Sequence, residues 1–327
     1  MAYSPASVTT STSGLNHLAS IYYDRLAVDN FKANLPYYEA CDKRTLPMRS
    51  GKTIQLFGYN LLAANTTPGT EGTVGAGINP TTSIQSTTVQ QYFDFMSFSD
   101  LLEETAIDPI IENASVEMGY RAALTVNSLV SAGFDVAVAA DASAAIDLGD
   151  NEFFNAAVAR QMVMSLRGKN VRPKADGYFY CLIHPFAAYD LINDNTAGGV
   201  IDMVKYTEAE QLQRGIQGYR VIDVLGCKFM ETTTVPTSSN FPSSGKTGYS
   251  TYVVGKDAVF AVNLGKTQIP GEKNFNLIAR NYQPGSSVAD PAGVIGATVA
   301  YNFKFAITQR PGSTMALRRV RAEASIS

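Results

Sequence analysis

Between Pro47 and Asp100, two runs rich in β-branched and aromatic residues flank a tract made almost wholly of turn formers. The first run is KTIQLFGYNLLAAN, the tract TTPGTEGTVGAGINPTT, and the second run SIQSTTVQQYFDFMSFSD. Such an arrangement predicts a long hairpin. A strand of about 12 residues reaches roughly 40 Å, against ~17–20 Å for strands inside a compact domain. The tip, 65–83, has no Lys or Arg and no apolar cluster large enough for a core. A two-stranded arm of this kind is not stable alone in water, so it must lie on something, most simply another copy of the chain. The composition agrees: 45% of residues are hydrophobic and only 17% charged, a thin coat of charge that suits surface buried against other chains.

A long helix is the second constraint. Asp108 suits the cap, Pro109 the first helical position and Gly133 the stop. Between them Ile110, Ile111, Ala114, Met118, Ala122, Val126, Leu129 and Val130 form an apolar stripe at helical period, and Glu117 and Arg121 stand one turn apart. The helix would run for roughly 36 Å. Before the hairpin, residues 1–14 read as a flexible arm and HLASIYYDRLAVDNFKANL as a helix. After the long helix, 135–150 reads as a loop and NEFFNAAVARQMVMSLRG as a helix capped by Asp150 and stopped by Gly168. Short strands and helices then alternate: GYFYCLIHP, a helix at 186–192, a capping box at Thr207 and Glu210, then YRVIDVL, CKFMET, TYVVG and DAVFAVNL. GVIGATVAYNFKFAITQR returns to strand. With 327 residues the chain has length for about two domain-sized units.

Chemistry is hard to place in this sequence. The tripeptide GKT occurs at 51–53, 245–247 and 265–267, but a phosphate-binding loop needs a glycine where Leu46, Asn240 and Phe260 stand. Only two histidines exist, His17 and His184. Cys181 and His184 are three apart in a predicted strand and so point to opposite faces, which does not make a metal pair. Cys41, Cys181 and Cys227, an odd number in apolar surroundings, read as reduced core residues. No G-x-S-x-G elbow is present. Glu103, Glu104 and Asp108 suit a helix start, and Asp141, Asp147 and Asp150 miss the calcium-loop spacing. Gly69, Gly72, Gly75 and Gly77 are followed by Pro80 where a dinucleotide loop needs a third glycine. No catalytic residue, cofactor or metal is expected. Net charge is −3, which argues against a chain coated by nucleic acid. One basic stretch, Arg310, Arg318, Arg319 and Arg321 against Glu323, offers a tail for phosphates or an acidic partner, with a solvated end as the plainer reading. No leader and no unbroken run of apolar residues long enough for a membrane span is visible, so a soluble product made inside the cell is expected.

The order of these parts resembles the HK97-like α+β fold of tailed-bacteriophage major capsid proteins, and more closely a podovirus-type family of similar length. The residues that carry it are YYDRL at 22–26, SGKTIQLFGYNLLAANTTPGTEG, SDLLEETAIDPII, GYRAALTVN, RGIQGYRVIDV and YVVGKDAVFAVNLG. The resemblance implies an N-terminal arm at 1–46, an extended β-hairpin loop at 47–98 and a peripheral domain with a long spine helix starting at 99–149. It further implies a mixed α/β axial domain at 150–272 and a return to the peripheral domain with the C-terminal tail at 273–327. It implies a virion protein, made in the bacterial cytoplasm, that assembles with itself through pentamers and hexamers into an icosahedral head around double-stranded DNA. A separate scaffolding protein, a portal and decoration proteins are its implied partners, with no membrane. Lys52, Tyr59, Asn65, Glu71, Tyr92 and Phe95 are the implied contacts between subunits. No lysine–asparagine crosslinking set is recognised around Lys52 and Asn65. The alternatives of other kinds are an encapsulin-type compartment shell, a tail or surface-layer protein, and a hydrolase built on Cys181 and His184.

Overall fold

The computed structural model describes residues 35–47, 49–60, 62–74, 77–105, 110–204, 225–265, 278–281, 295–312 and 316–325. All but the last residue of the helix expected at 17–35 and of the strand expected at 219–225 lie outside them, as do the cap at Asp108 and Pro109 and the capping box at Thr207 and Glu210. The helices are α1 (Tyr37–Ala40), α2 (Asp100–Thr105), α3 (Ile110–Ala139), α4 (Ala156–Gly168), α5 (Pro185–Ile192) and α6 (Val200–Val204).

A five-stranded sheet contains β1 (Asp42–Leu46), β10 (Val259–Leu264), β12 (Ile295–Gln309) and β11 (Ile278–Asn281) in that order, with β4 (Gln90–Ser99) also paired to β12. Alternate residues of β12, from Ala297 through Val299, Tyr301 and Phe303 to Phe305, are buried. That period-two face meets the period-3.6 stripe of α3, whose Ala114, Met118, Ala122, Val126, Val130 and Phe134 are buried in the same core. Each large apolar side chain so buried contributes about 1.5–3 kcal/mol. Arg121, expected to pair along α3, reaches across to Asp94 of β4 at 2.6 Å.

Gly133 does not stop α3. The helix runs on to Ala139, 30 residues in all or roughly 45 Å. A Cβ placed on Gly133 would sit 2.6 Å from Ile307 Cδ1, so the glycine lets helix and strand approach closely. The segment expected to be a loop therefore begins as helix, then passes through a 3₁₀ turn at 142–144 into β5 (Ala145–Asp147).

A six-stranded sheet runs β5, β13 (Leu317–Glu323), β9 (Thr247–Val254), β6 (Phe179–Ile183) and β7 (Cys227–Glu231), with β8 (Thr237–Ser239) also on β9. The basic stretch near the C-terminus is thus an internal strand, not a solvated tail. α4 begins later than expected: Asn155, not Asp150, is its cap, its side chain accepting from the Val158 N–H at 2.9 Å, while Phe154 is wholly buried just before it. Asp150 instead binds Lys246 Nζ at 2.5 Å. Gly168 ends α4 as expected.

The hairpin is shorter than the sequence suggests. β2 (Thr53–Tyr59) and β3 (Thr82–Thr88) form a separate two-stranded ribbon, in register from Thr53 opposite Thr88 to Tyr59 opposite Thr82. Seven residues span roughly 24 Å. Past Val89, the second run leaves the ribbon as β4 and pairs with β12. Tyr92 stacks on Phe303 at 5.5 Å, and Met96 and Phe98 also pack on the core. All three GKT glycines take the left-handed conformation, with φ of +81° at Gly51, +85° at Gly245 and +62° at Gly265. Thr53 and Thr247 open β2 and β9, and Gly265 follows β10, so the tripeptide recurs as turn chemistry at strand boundaries.

Candidate functional site

The ribbon has two unlike faces because successive side chains of a strand point to opposite sides. On one face Ile54, Leu56 and Gly58 are half-buried. A Cβ on Gly58 would lie 3.4 Å from Pro311, and Thr87 Oγ1 donates to the Ile307 carbonyl at 3.2 Å, so this face rests on the body of its own chain. On the other face Phe57 stands opposite Ile84 and Tyr59 opposite Thr82, with Phe57, Ile84 and Tyr59 69%, 64% and 73% exposed. Leu62, Val74 and Ile78 extend the exposed apolar surface toward the tip. Surface of this kind is favoured only where something covers it.

Lys52 is exposed at the root of the ribbon, where its carbonyl accepts from the Val89 N–H at 2.8 Å. Tyr59 lies on the bare face, Asn65 accepts from the Thr67 N–H at 3.0 Å, and Glu71 sits in an exposed turn with Gly72. Phe95 is exposed but belongs to β4 in the core sheet. Tyr92 stands apart, its ring stacked on Phe303 of its own core. Sequence reasoning missed Phe57 and Ile84, although the alternation of TIQLFGY and TSIQSTT signals that they share a face.

The four arginines do not form an exposed tail. Arg310 is half-buried and its N–H donates to the Ala258 carbonyl. Arg318 is buried, donating through Nε to Ser165 Oγ at 2.9 Å and standing 3.7 Å from Asp141. Arg319 reaches Asp135 at 3.3 Å and Asp147 at 3.9 Å, and Arg321 reaches Asp147 at 3.9 Å. Nothing local in the sequence links Asp135, Asp141 and Asp147 to these arginines; the fold brings them together. Although burial raises the Asp141 carboxyl, hydrogen bonds from Ser143 and Lys169 outweigh it and hold the group at about 2.

The residues considered for chemistry are packed or capped. Cys181 is buried beside Cys227, and burial together with that neighbour pushes its thiol well above the usual range. His184 caps α5, its Nδ1 accepting from the Phe186 N–H at 3.2 Å while its ring stacks on Tyr249 at 4.4 Å. Burial pushes its pKa down, favouring the neutral ring that such an acceptor requires. Among the described residues no group of three or more His, Cys, Asp or Glu is placed to hold a metal. A cavity of about 590 Å³ beside α4 holds Asp190 and Asp194, yet Asp194 accepts from the Ala156 and Thr196 N–H groups and Asp190 from Ser325. By length and composition alone α3 could cross a membrane; its buried stripe instead fills the core with β12.

No family model matches the sequence, and no curated protein matches it. Solved structures do match over almost the whole chain. The capsid of cyanophage P-SCSP1u aligns with a TM-score of 0.68 at 15% identity, covering 99% of this chain and 99% of its own. The capsid of Ralstonia phage GP4 gives 0.67 at 13% identity, covering 98% and 99%, and that of cyanophage Pam1 0.70 at 11%, covering 99% and 100%. The fold is that of phage capsid chains, an α+β arrangement with several sheets, from one end of the chain to the other.

Proposed function

We propose that the chain is the major capsid protein of a tailed bacteriophage, a shell subunit without catalytic activity. The observation that carries this reading is a ribbon whose outward face exposes Phe57, Ile84 and Tyr59, on a chain that matches phage capsid chains end to end. The fold is read as HK97-like, with the arm at 1–46, the extended loop at 47–98, the peripheral domain at 99–149 and 273–327 and the axial domain at 150–272. Its place is the virion. Copies associate through pentamers and hexamers into an icosahedral shell around double-stranded DNA, with a separate scaffolding protein, a portal and decoration proteins as further partners. Lys52, Tyr59, Asn65, Glu71 and Phe95 remain the proposed contacts between copies, joined now by Phe57 and Ile84.

The test is negative-stain electron microscopy with light scattering on the recombinant chain, alone and with the components of an infected lysate. Closed shells, or rings of five and six copies, are expected. Enzyme cargo in place of DNA inside native particles would move the reading to an encapsulin-type shell, and open sheets or tubes would move it to a tail or surface-layer protein. A monomer that never associates would overturn it.

A further inference from the structure

The ribbon does not close fully onto its own body. Where Thr87 Oγ1 bonds to the Ile307 carbonyl, the ribbon, β12 and α3 frame a cavity of about 330 Å³. Leu129, Ala132, Gly133 and Val136 line it from α3, and their spacing of three and four residues makes them one helix face. Ile307 and Gln309 line it from β12, and Gln85 and Thr87 from the inner side of β3. At the mouth Val136 is 65% exposed, an apolar side chain that the chain leaves bare.

Water is a poor filling for such a space. At roughly 30 Å³ each, about ten waters would be needed, each seeking two to four polar partners that Leu129, Val136 and Ile307 do not offer. None of the lining residues is ionisable, so an ion has no counter-charge there. Two of them carry buried side-chain oxygens with no hydrogen-bond partner, Gln309 Oε1 and Thr308 Oγ1. Gln309 stands two residues from Ile307, which meets Gly133, so both share the side of β12 turned to α3 and the Gln309 oxygen is the one on the cavity side. A buried carbonyl oxygen without a donor is costly, and a donor that reaches it removes the cost.

We infer that this cavity binds a small uncharged organic molecule, apolar over most of its length, with one hydroxyl or amide N–H that donates to Gln309 Oε1. The volume sits at the lower end of ligand pockets, about 300–1,000 Å³. An apolar cavity of roughly 150 Å³ holds benzene, so the class that fits here is a phenol with a short alkyl chain or a medium-chain alcohol. Because the lining comes from the ribbon, the long helix and the core sheet together, the occupant ties the ribbon to the body. It thereby sets the angle at which Phe57 and Ile84 are presented.

The test titrates the full chain with 4-propylphenol and with 4-propylanisole, its methyl ether, by calorimetry and ligand-observed NMR. The phenol should bind with a Kd of about 1 mM or tighter. The ether has no proton to donate and should bind at least about fivefold more weakly. Gln309→Leu should weaken the phenol about fivefold and erase the difference between the two compounds. Ala132→Phe, at an exposed helix position on the cavity wall, should fill the space and abolish binding of both. Should that variant not fold, as its melting curve would show, Val136→Phe blocks the same cavity from the mouth. No binding to the unaltered chain, equal binding of the two compounds, or binding that survives the filled cavity overturns the inference. A chain that binds neither compound, yet loses assembly on Ala132→Phe, gives the cavity to a side chain of another copy and overturns it as well.

Discussion

The ribbon and the α3–β12 core are built from the same kinds of residue and put them to opposite uses. In β12, alternation places Val299, Tyr301, Phe303 and Phe305 against a helix stripe, and every one is buried. In β2 and β3 the same alternation places Phe57, Tyr59 and Ile84 outward, where no described residue covers them. One strand segment joins the two regimes: Ile84 is exposed on the ribbon, and eight residues on Tyr92 stacks inside the core. Hydrophobic patterning thus marks surface that will be buried without saying by which molecule, since the driving force is non-directional. The core completes the fold of one copy; on the capsid reading, another copy completes the ribbon.

The contrast is sharpest in a matched pair of substitutions. Phe303→Ala removes a fully buried ring that stacks on both Tyr92 and Tyr301, and should lower stability by about 3–5 kcal/mol in denaturant titration. Phe57→Ala removes the same ring from the bare face and should leave the stability of the free chain within about 0.5 kcal/mol, while impairing assembly. If Phe57→Ala costs as much stability as Phe303→Ala, the ribbon is part of the chain's own core and the comparison fails.

A smaller effect separates the sheets' ion pairs from the charges of the ribbon root. The Asp141 carboxyl is held at about 2, below the ordinary 3.8, so its contribution is present above 3.8 and lost as pH falls toward 2. Asp141→Asn should therefore flatten the fall in melting temperature between pH 4 and pH 2, whereas Lys52→Gln should leave that slope unchanged. Equal slopes in Asp141→Asn and the unaltered chain would show that the Ser143 and Lys169 bonds do not hold the carboxylate.

Local pattern carried much of this fold. The stripe Met118, Ala122, Val126 and Val130 marked α3, FYCLI before His-Pro marked β6 and the capped α5, and VVGKDAVFAVNL marked β9 and β10. Long-range pairing was not legible. Nothing before or after Val89 distinguishes residues that pair within the ribbon from residues that pair with β12, because both halves alternate alike. Gly133 reads as a stop unless the closeness of Ile307 is known, and Asp150 reads as a cap unless Lys246 is known to claim it. LRRVRAE reads as a basic end until β5 and β9 close around it and Asp135, Asp141 and Asp147 arrive from elsewhere in the chain. Of the candidate contacts, the exposed ones on the ribbon were readable from alternation and turn chemistry, while the inward turn of Tyr92 depended on Phe303, more than two hundred residues away.

The most direct measurement shortens the ribbon and asks two questions of one sample. Residues 61–80 are replaced by Asn-Gly, a turn that joins the paired residues Asn60 and Thr81 without disturbing β2 and β3. Melting temperature and particle formation are then read side by side with the unaltered chain. The account predicts an unchanged melting transition and the loss of stable shells. A shortened chain that still forms normal particles would contradict it.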